Sequence, residues 1–277
     1  MVESSLAEPA GETPATKRSP PVTPSSPAFP LARPPRCIAI VPALNEEKQI
    51  PAVVAEIKKN APAFDVLVID DGSTDRTAQV ARAAGAAVVR HPFNMGYGVA
   101  LQTAYKYATR RGYDILVQLD GDGQHDPSYI PRLAEQVTSG ATDVCVGTRF
   151  LENLGYFPPF FRRVGMVVFG YIASRATGRR VTDPTSGYQA LSRGAFGFFQ
   201  SDLFPFDYPD ADVLILLHRA GFRVNEIPVR MKPSPTGKSM HGGVLKPMFY
   251  VFKMFLSIGV TLLREKPRAD KIAPGEQ

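Results

Sequence analysis

The stretch from residue 118 to residue 127 carries the side chains best suited to chemistry. It reads Gln-Leu-Asp-Gly-Asp-Gly-Gln-His-Asp-Pro and directly follows a largely apolar run at 114–117. Asp120 and Asp122 lie on one short loop, and carboxylates this close repel each other, more strongly when buried. A hard divalent cation with oxygen ligands, Mg²⁺ or Mn²⁺, would relieve the repulsion. Its open coordination positions could take phosphates, which predicts an enzyme acting on a nucleotide diphosphate.

This acidic loop has two other interpretations. A calcium-binding EF-hand also begins Asp-x-Asp, but His125 stands where its turn glycine belongs and no bidentate Glu closes the loop. A solvated acidic turn without a ligand stays open as the simpler alternative. Such turns rarely follow the core strand of an α/β sheet, so the metal site is favoured.

Alternating apolar and amphipathic segments place the acidic loop in a fold. The pattern predicts strands at 37–41, 64–69, 86–90, 114–117, 144–148 and 223–231, with a further strand after an irregular loop at 185–191. It predicts helices at 46–60, 74–84, 96–111, 160–177 and 211–220. Near-continuous apolar strands that alternate with helices indicate an α/β fold with a mostly parallel, doubly wound sheet.

Ligands of such sheets bind at the carboxyl ends of the strands. Three polar segments are expected there, at 44–46, 70–71 and 120–122. Asp70 and Asp71 could cap a helix beginning near Thr74. Ser73 or Thr74 could cap it instead, which would free an Asp for a base or a ribose hydroxyl.

Three further features each have a simpler explanation. Gly96-Tyr97-Gly98 opens a helix but lacks the third glycine of a dinucleotide fingerprint, so a Rossmann dehydrogenase is not expected. Arg149, at a strand's carboxyl end, is placed to form bidentate contacts with phosphate, and a surface charge is the alternative. Arg162 and Arg163 begin a helix, where positive charge is unfavourable, so an anionic ligand and a purely structural role are both open.

The chain divides into four predicted regions. Residues 1–35 are rich in Pro, Ser, Thr and Ala and are expected to be disordered. The catalytic domain is predicted at 36–243, membrane-interface helices at 244–267 and a tail at 268–277. No apolar signal segment opens the chain. Cys37 and Cys145 fall in predicted strands without zinc spacing, which favours reduced thiols in the cytosol.

The positive charge is concentrated near the C-terminus. Residues 219–277 hold eleven Lys and Arg against four Asp and Glu, while the whole chain carries +6. The apolar, aromatic segment 244–263 is interrupted by Lys246, Pro247 and Lys253, so it falls short of a membrane crossing. It suits one or two helices in a membrane interface, on the cytoplasmic (inner) face, and a docking helix is the alternative. No stacking motif accompanies the charge, so nucleic acid is not an expected partner.

Four motifs together resemble family 2 glycosyltransferases, and most of all the dolichyl-phosphate mannosyltransferase and polyprenyl-phosphate sugar transferase group. They lie at 41–46 (Val-Pro-Ala-Leu-Asn-Glu), 68–75 (Val-Ile-Asp-Asp-Gly-Ser-Thr-Asp), 94–98 (Asn-Met-Gly-Tyr-Gly) and 120–127. The resemblance covers about residues 37–243. It implies a GT-A fold and inverting transfer from a nucleotide-diphosphate sugar with a divalent metal, Mg²⁺ or Mn²⁺.

The resemblance also implies site residues by motif position. The donor pocket would be lined by Pro42, Leu44, Glu46, Ile69, Asp71, Asp120, Gly121, Asp122 and Arg149. The metal ligands would be Asp120, Asp122 and Gln124. The segment 183–188 resembles the family's acceptor-side loop, and Ser186, Arg163 and Lys238 are candidates for contacts with the acceptor or a phosphate. In two places the chain departs from the pattern: Leu44 replaces a usual aromatic, and Lys238 precedes Ser239 rather than following it.

The predicted reaction is displacement at the anomeric carbon of the sugar, with polyprenyl phosphate as the acceptor. A lipid phosphate is already ionised, whereas a sugar hydroxyl would need a carboxylate base. Asp210 and Asp212 lie where the wider family places that base, with Asp212 the catalytic candidate beside Asp122, and both could equally be helix N-terminal acids. The alternatives are a glycosyltransferase with a hydroxyl acceptor in polysaccharide synthesis and a non-catalytic nucleotide-sugar binding protein. The oligomeric state is not predicted.

Overall fold

The computed structural model describes residues 33–151, 160–205, 209–232 and 245–264. Its strands, in chain order, are β1 (Cys37–Ala43), β2 (Phe64–Asp70), β3 (Ala87–Arg90), β4 (Ile115–Gln118), β5 (Val144–Thr148), β6 (Gln189–Ser192) and β7 (Val224–Pro228). Its helices are α1 (Ile50–Asn60), α2 (Thr77–Ala83), α3 (Tyr97–Arg110), α4 (Ile130–Thr138), α5 (Phe160–Thr177), α6 (Arg193–Phe198), α7 (Ala211–Arg219) and α8 (Leu245–Leu263), with a 3₁₀ turn at Pro127–Tyr129. Helices α4 and α6 had not been predicted.

The strands form one seven-stranded sheet in the order β3-β2-β1-β4-β6-β5-β7. Strands β1 to β4 pair in parallel, as do β5 and β7. All seven residues of β1 are buried, which explains its unbroken apolar sequence, since helices cover both faces of a parallel sheet. Ala39 and Val41 pack in one core layer, Ile38 and Ile40 in the other. The predicted mostly parallel α/β sheet is confirmed.

Strand β6 is antiparallel to both of its neighbours, and this changes which loops meet. Its first residue, Gln189, pairs with Gln118 at the end of β4. Because β6 runs in the opposite direction, the segment before it, 183–188, lies at the carboxyl edge of the parallel strands. The acidic loop after β4 and this segment are therefore neighbours.

Helix α1 begins at Ile50, four residues later than predicted. The preceding residues are drawn into contacts with the segment after β2: the amide of Asn45 donates to Ser73 (2.9 Å) and that of Glu46 to Thr77 (2.8 Å). Asn45 adopts a φ of 57° in this turn. Pro51 falls in the first helical turn, where its missing N–H costs nothing, so it starts the helix rather than distorting it.

Helix α8 packs against the domain on one side only. Met254 and Ile258 are buried in a cluster with Phe169 of α5 and Ile215 of α7. Arg219 of α7 donates to the carbonyl oxygens of Leu262 (3.3 Å) and Arg264 (2.7 Å), which satisfies the C-terminal end of α8.

The predicted C-terminal segment is thus one helix in the described residues, docked on α5 and α7. Its other side exposes Phe252 and Leu256. Within the described part of the chain, no helix combines the length and apolarity needed to cross a membrane. Residues 1–32 of the predicted disordered tail lie outside the described residues.

Candidate active site

The acidic loop is held by its own side chains, among them the buried His125. The amide of Asp120 donates to His125 Nδ1 (2.9 Å), so that ring nitrogen carries no proton. The Asp122 carboxylate accepts from the amide of Gln124 (2.9 Å) and from its Nε2 (2.7 Å). The loop therefore fixes the orientation of Asp122 through Gln124.

Negative charge accumulates around this loop. Burial, and next the charge of Asp120, raises the pKa of Asp122. Burial, followed by the charges of Asp122, Asp75 and Asp120, raises the pKa of Glu46 to about 7. The repulsion between carboxylates that the sequence predicts is present in the structure. It involves Glu46, from the motif at 41–46, as well as Asp120 and Asp122. A divalent cation bound here would offset it.

The donor set fits a metal that shares its coordination shell with a ligand. Asp120 and Asp122 offer carboxylate oxygens and Gln124 an amide oxygen, the ligands that Mg²⁺ and Mn²⁺ prefer. The Asp120 side chain is 36% exposed, so it is open to a ligand. Among the described residues, no group of three or more His, Cys, Asp or Glu side chains is arranged to hold a metal ion. Phosphate oxygens would have to complete the coordination, as they commonly do for Mg²⁺.

The first motif touches the acidic loop through glycine. A Cβ on Gly121 would lie 3.1 Å from the carbonyl oxygen of Pro42 and 3.3 Å from Ala43 Cβ. Pro42 is buried under this contact, and Leu44 is 39% exposed beyond it. The structure thus brings Pro42, Leu44, Glu46 and the acidic loop to one edge of the sheet.

Asp70 and Asp71 organise loops rather than a helix cap. Asp70 accepts from the amide of Ser73 (2.9 Å), and Asp75 accepts from the amide of Thr77 (2.9 Å), the first residue of α2. The alternative in which Asp70, Asp71, Ser73 or Thr74 caps this helix does not hold, because α2 begins at Thr77 and Asp75 accepts the hydrogen bond from its first amide.

Asp71 holds the loop that precedes α3. Its carboxylate accepts from the amides of Met95 and Gly96 (2.9 Å each), and His91 Nδ1 lies 2.7 Å from it. Asp71 is only 5% exposed, and Ile69 is fully buried in the core. Their assignment to the base or ribose of the donor stays a prediction.

Arg149 forms an internal ion pair with Asp183. Its Nε and Nη2 each donate to the Asp183 carboxylate at 2.6 Å, and Nη2 also donates to Thr185 (2.9 Å). Arg149 is 6% exposed and Asp183 is fully buried. The guanidinium therefore anchors the segment 183–188, and its predicted contact with the donor diphosphate stays a prediction.

The segment 183–188 packs directly on the acidic loop. The Tyr188 ring stacks on His125 with centroids 4.8 Å apart, and its hydroxyl donates to the carbonyl of Asp126 (2.9 Å). Ser186 is buried and donates to the carbonyl of Gly147 (2.5 Å). Ser186 thus holds the loop, and its predicted acceptor contact stays a prediction.

Asp212 is buried at the start of α7. Its carboxylate accepts from its neighbours' amides at Asp210 (3.2 Å) and Val213 (2.9 Å) and from the hydroxyl of Ser257 on α8. Burial raises its pKa. These contacts favour the helix N-terminal acid over the catalytic base, the two alternatives left open above. Burial and then the charge of Asp120 raise the pKa of Tyr97, and the charge of Asp210 adds a smaller contribution in the same direction.

Two candidates cannot be placed. Arg163 belongs to α5, but its side chain lies outside the described residues, as does the whole of Lys238. Sequence reasoning also missed three partners that shape the site: Tyr97, Asp183 and Tyr188. All three lie within motifs recognised in the sequence, yet nothing in their spacing predicted that the two tyrosines would reach the acidic loop or that Asp183 would pair with Arg149.

Comparisons with known proteins agree with this geometry. The family model described as glycosyl transferase family 2 matches residues 38–198. The polyprenol monophosphomannose synthase of Mycolicibacterium smegmatis is 31% identical over 78% of this chain and 85% of its own length. The undecaprenyl-phosphate mannosyltransferase of Micrococcus luteus is 28% identical over 76% of this chain and 89% of its own.

A solved structure shows the same fold. The glucosyl-3-phosphoglycerate synthase of Mycobacterium tuberculosis, crystallised with Mn²⁺, UDP and glucosyl-3-phosphoglycerate, aligns with a TM-score of 0.58 and 24% identity. The alignment covers 83% of this chain and 79% of that one. A mostly parallel sheet with an acidic Asp-x-Asp loop at its carboxyl edge defines a GT-A glycosyltransferase. The chain belongs to glycosyl transferase family 2, which confirms the predicted family and enzyme class.

Proposed function

We propose that this enzyme is inverting and metal-dependent, and that it transfers a sugar from a nucleotide-diphosphate sugar to a polyprenyl phosphate at a membrane surface. The observation that carries the proposal is the packing of the acidic loop against the acceptor-side segment, with Tyr188 stacked on His125. Donor and acceptor would then meet at one edge of the sheet.

The chain's own residues would divide the work as follows. Asp120, Asp122 and Gln124 would hold Mg²⁺ or Mn²⁺, which would neutralise charge on the departing nucleoside diphosphate. Pro42, Leu44 and Glu46 would line the nucleotide pocket. The Arg149–Asp183 ion pair would keep segment 183–188 in place beside the sugar.

The state of Asp212 supports a phosphate acceptor. A hydroxyl acceptor must lose a proton to a base, and Asp212 is engaged with α7 and Ser257 instead. A phosphate acceptor is already ionised and needs no such group. The named relatives that act on polyprenyl phosphates agree with this choice.

The apolar surface beside the domain supports a membrane-bound acceptor. Phe252, Leu256 and Leu263 of α8 are 65%, 58% and 90% exposed, and Val167 and Tyr171 of α5 are 66% and 71% exposed. A cleft of about 340 Å³ between the two helices is lined by Tyr171, Ile172, Arg175, Ala176 and Leu262. Exposed apolar side chains close to a basic one, Arg175, suit an anionic membrane interface on the cytoplasmic side.

The test is an acceptor and donor panel. Purified protein with Mg²⁺ or Mn²⁺ is offered radiolabelled GDP- and UDP-sugars with a polyprenyl phosphate or with hydroxyl acceptors. Label is expected to enter the organic phase only when polyprenyl phosphate is the acceptor. Addition of a chelator is expected to abolish this transfer. Label confined to water-soluble products would contradict the lipid acceptor while leaving the family assignment intact.

A further inference from the structure

Each of the two paired carboxylates in the acidic loop has its own orienting donor. Asp122 is held by Gln124, from within the loop. Asp120 is held from outside, because the hydroxyl of Tyr97 donates to its Oδ1 at 2.8 Å. Of the hydrogen bonds between described residues, this is the one that reaches the Asp120 carboxylate. The other carboxylate oxygen, Oδ2, lies 3.8 Å from His125 Nδ1, beyond hydrogen-bond distance, and the Asp120 side chain is 36% exposed.

The position of the Tyr97 hydroxyl is itself fixed by the backbone. Tyr97 is the first residue of α3, and Gly96 before it has a φ of 102°. The amides of Met95 and Gly96 are both bound by the buried carboxylate of Asp71, which His91 contacts in turn. These hydrogen bonds hold the start of the helix in place, and the Tyr97 hydroxyl reaches Asp120 from there.

Segment 183–188 closes over the same hydroxyl. A Cβ on Gly187 would lie 3.0 Å from the Tyr97 oxygen and 3.5 and 3.6 Å from the two oxygens of Asp120. A glycine at this position leaves room for the hydrogen bond. The Tyr97–Asp120 pair thus lies where helix α3, the acidic loop and the acceptor-side segment meet.

We propose that Tyr97 is a positioning residue that holds Asp120 in the orientation needed to bind the divalent cation, and that Gly187 provides the space for this contact. The inference rests on the proposed metal-dependent function. Groups that hydrogen-bond to metal-binding carboxylates typically change metal affinity about 10- to 100-fold when removed. A residue of this kind acts through Asp120 and need not touch the donor.

The experiment measures Mn²⁺ binding to the full chain by electron paramagnetic resonance. Separate titrations are run with saturating GDP and with saturating UDP. Tyr97→Phe is expected to raise the Mn²⁺ dissociation constant about tenfold. The matched control is Tyr113→Phe, which removes another tyrosine–aspartate hydrogen bond, to Asp65 at 2.7 Å, near the opposite end of the sheet. Its Mn²⁺ affinity is expected to stay within about twofold of that of the natural chain.

Gly187→Ala tests the second half of the proposal. Its added methyl group should displace the Tyr97 hydroxyl and weaken Mn²⁺ binding. In a Tyr97→Phe background the same change should cost clearly less, because the hydroxyl that the methyl group meets is gone. Non-additivity of this kind identifies a shared contact.

The outcomes separate the two proposals. If the natural chain retains Mn²⁺ and Tyr97→Phe binds it equally well, the positioning role is refuted while the proposed function stands. Equal losses in Tyr97→Phe and Tyr113→Phe would refute it too, since they would show a general loss of structure. If the natural chain binds no Mn²⁺ with either nucleotide, the metal-dependent function itself fails.

Discussion

At the scale of single residues, the acidic loop holds a carboxylate whose negative charge is disfavoured by its surroundings. Burial and Asp120 together make the ionised form of Asp122 unfavourable, as its raised pKa shows. A residue that is costly in the free protein and useful only with a ligand is a sign of a binding site. The sequence already indicated this repulsion, because two carboxylates at i and i+2 after a buried strand have little room to separate.

Asp122→Asn separates these two effects. Turnover in the sugar-transfer assay is expected to fall about 100-fold or more, because the proposed metal site would lose one of its two carboxylates. The melting temperature without metal at neutral pH is expected to stay equal or rise, because a disfavoured charge disappears. Retained turnover would support the non-catalytic alternative, and a large drop in melting temperature would indicate a structural role.

Glu46→Gln tests the pH dependence of the cluster. The folded protein holds the Glu46 proton up to a pKa of about 7, against an ordinary value of 4.5. Protonation therefore favours the folded state, and this contribution is lost as pH rises from about 4.5 through 7.

Chemical denaturation of the metal-free protein at pH 5 and pH 8 measures this effect. Glu46→Gln should be stabilised relative to the natural chain at pH 8 more than at pH 5. Glu135→Gln, on the exposed side of α4, is the control and should show no such difference. An identical pH profile for Glu46→Gln and the natural chain would contradict the charge cluster.

At the scale of elements, the alternation of strands and helices predicted a mostly parallel sheet. The contacts made by the loops could be seen only in the structure. The spacing of apolar residues indicates which side chains are buried, and β1, β2, α3 and α5 accordingly lie close to their predicted positions. It does not report strand direction, and the antiparallel β6 was not foreseen. Likewise α1 starts late because Asn45 and Glu46 bind residues about 30 positions away, a contact with no local signature.

The same limit applies to the site. The motifs predicted that Asp120, Asp122 and the first motif lie at one edge, and the structure places them together. They did not predict that Arg149 would pair with Asp183, 34 residues away. A strand-end arginine can face a ligand or an internal acid, and only the fold decides which.

Asp183→Asn is expected to lower both stability and turnover. Arg149 would remain buried without the charge of Asp183, and breaking a buried ion pair typically costs about 3–5 kcal/mol. The control is Asp143→Asn at the other end of β5, where Asp143 pairs with Arg223 through Nε and Nη2 at 3.0 Å each.

Urea denaturation and the transfer assay are run on both variants. The more exposed Arg223–Asp143 pair should contribute less to stability, and its loss should leave turnover within about twofold. Equal effects of the two substitutions on turnover would mean that the Arg149–Asp183 pair has no special relation to the site.

At the scale of the whole molecule, the exposed side of α8 governs the expected membrane association. Changing Phe252 and Leu256 together to Ser should reduce sedimentation with anionic vesicles at least tenfold, because each large apolar side chain contributes about 1.5–3 kcal/mol when buried. Phe93→Ser removes an aromatic side chain of similar exposure (64%) on the loop after β3, and it should leave vesicle binding unchanged. Unchanged binding of the double variant would favour a protein partner for this surface.

The contacts between α7 and α8 limit how the chain can be shortened. A protein truncated before Leu245 would lose the Ser257 hydroxyl that Asp212 binds and the two carbonyls that Arg219 binds, and it would uncover Ile215. Deleting α8 to gain solubility would therefore remove both hydrogen-bond partners and apolar packing partners of α7. Solubilising replacements on the outward side of that helix, with its inward side kept intact, are the better route to a crystallisable catalytic domain.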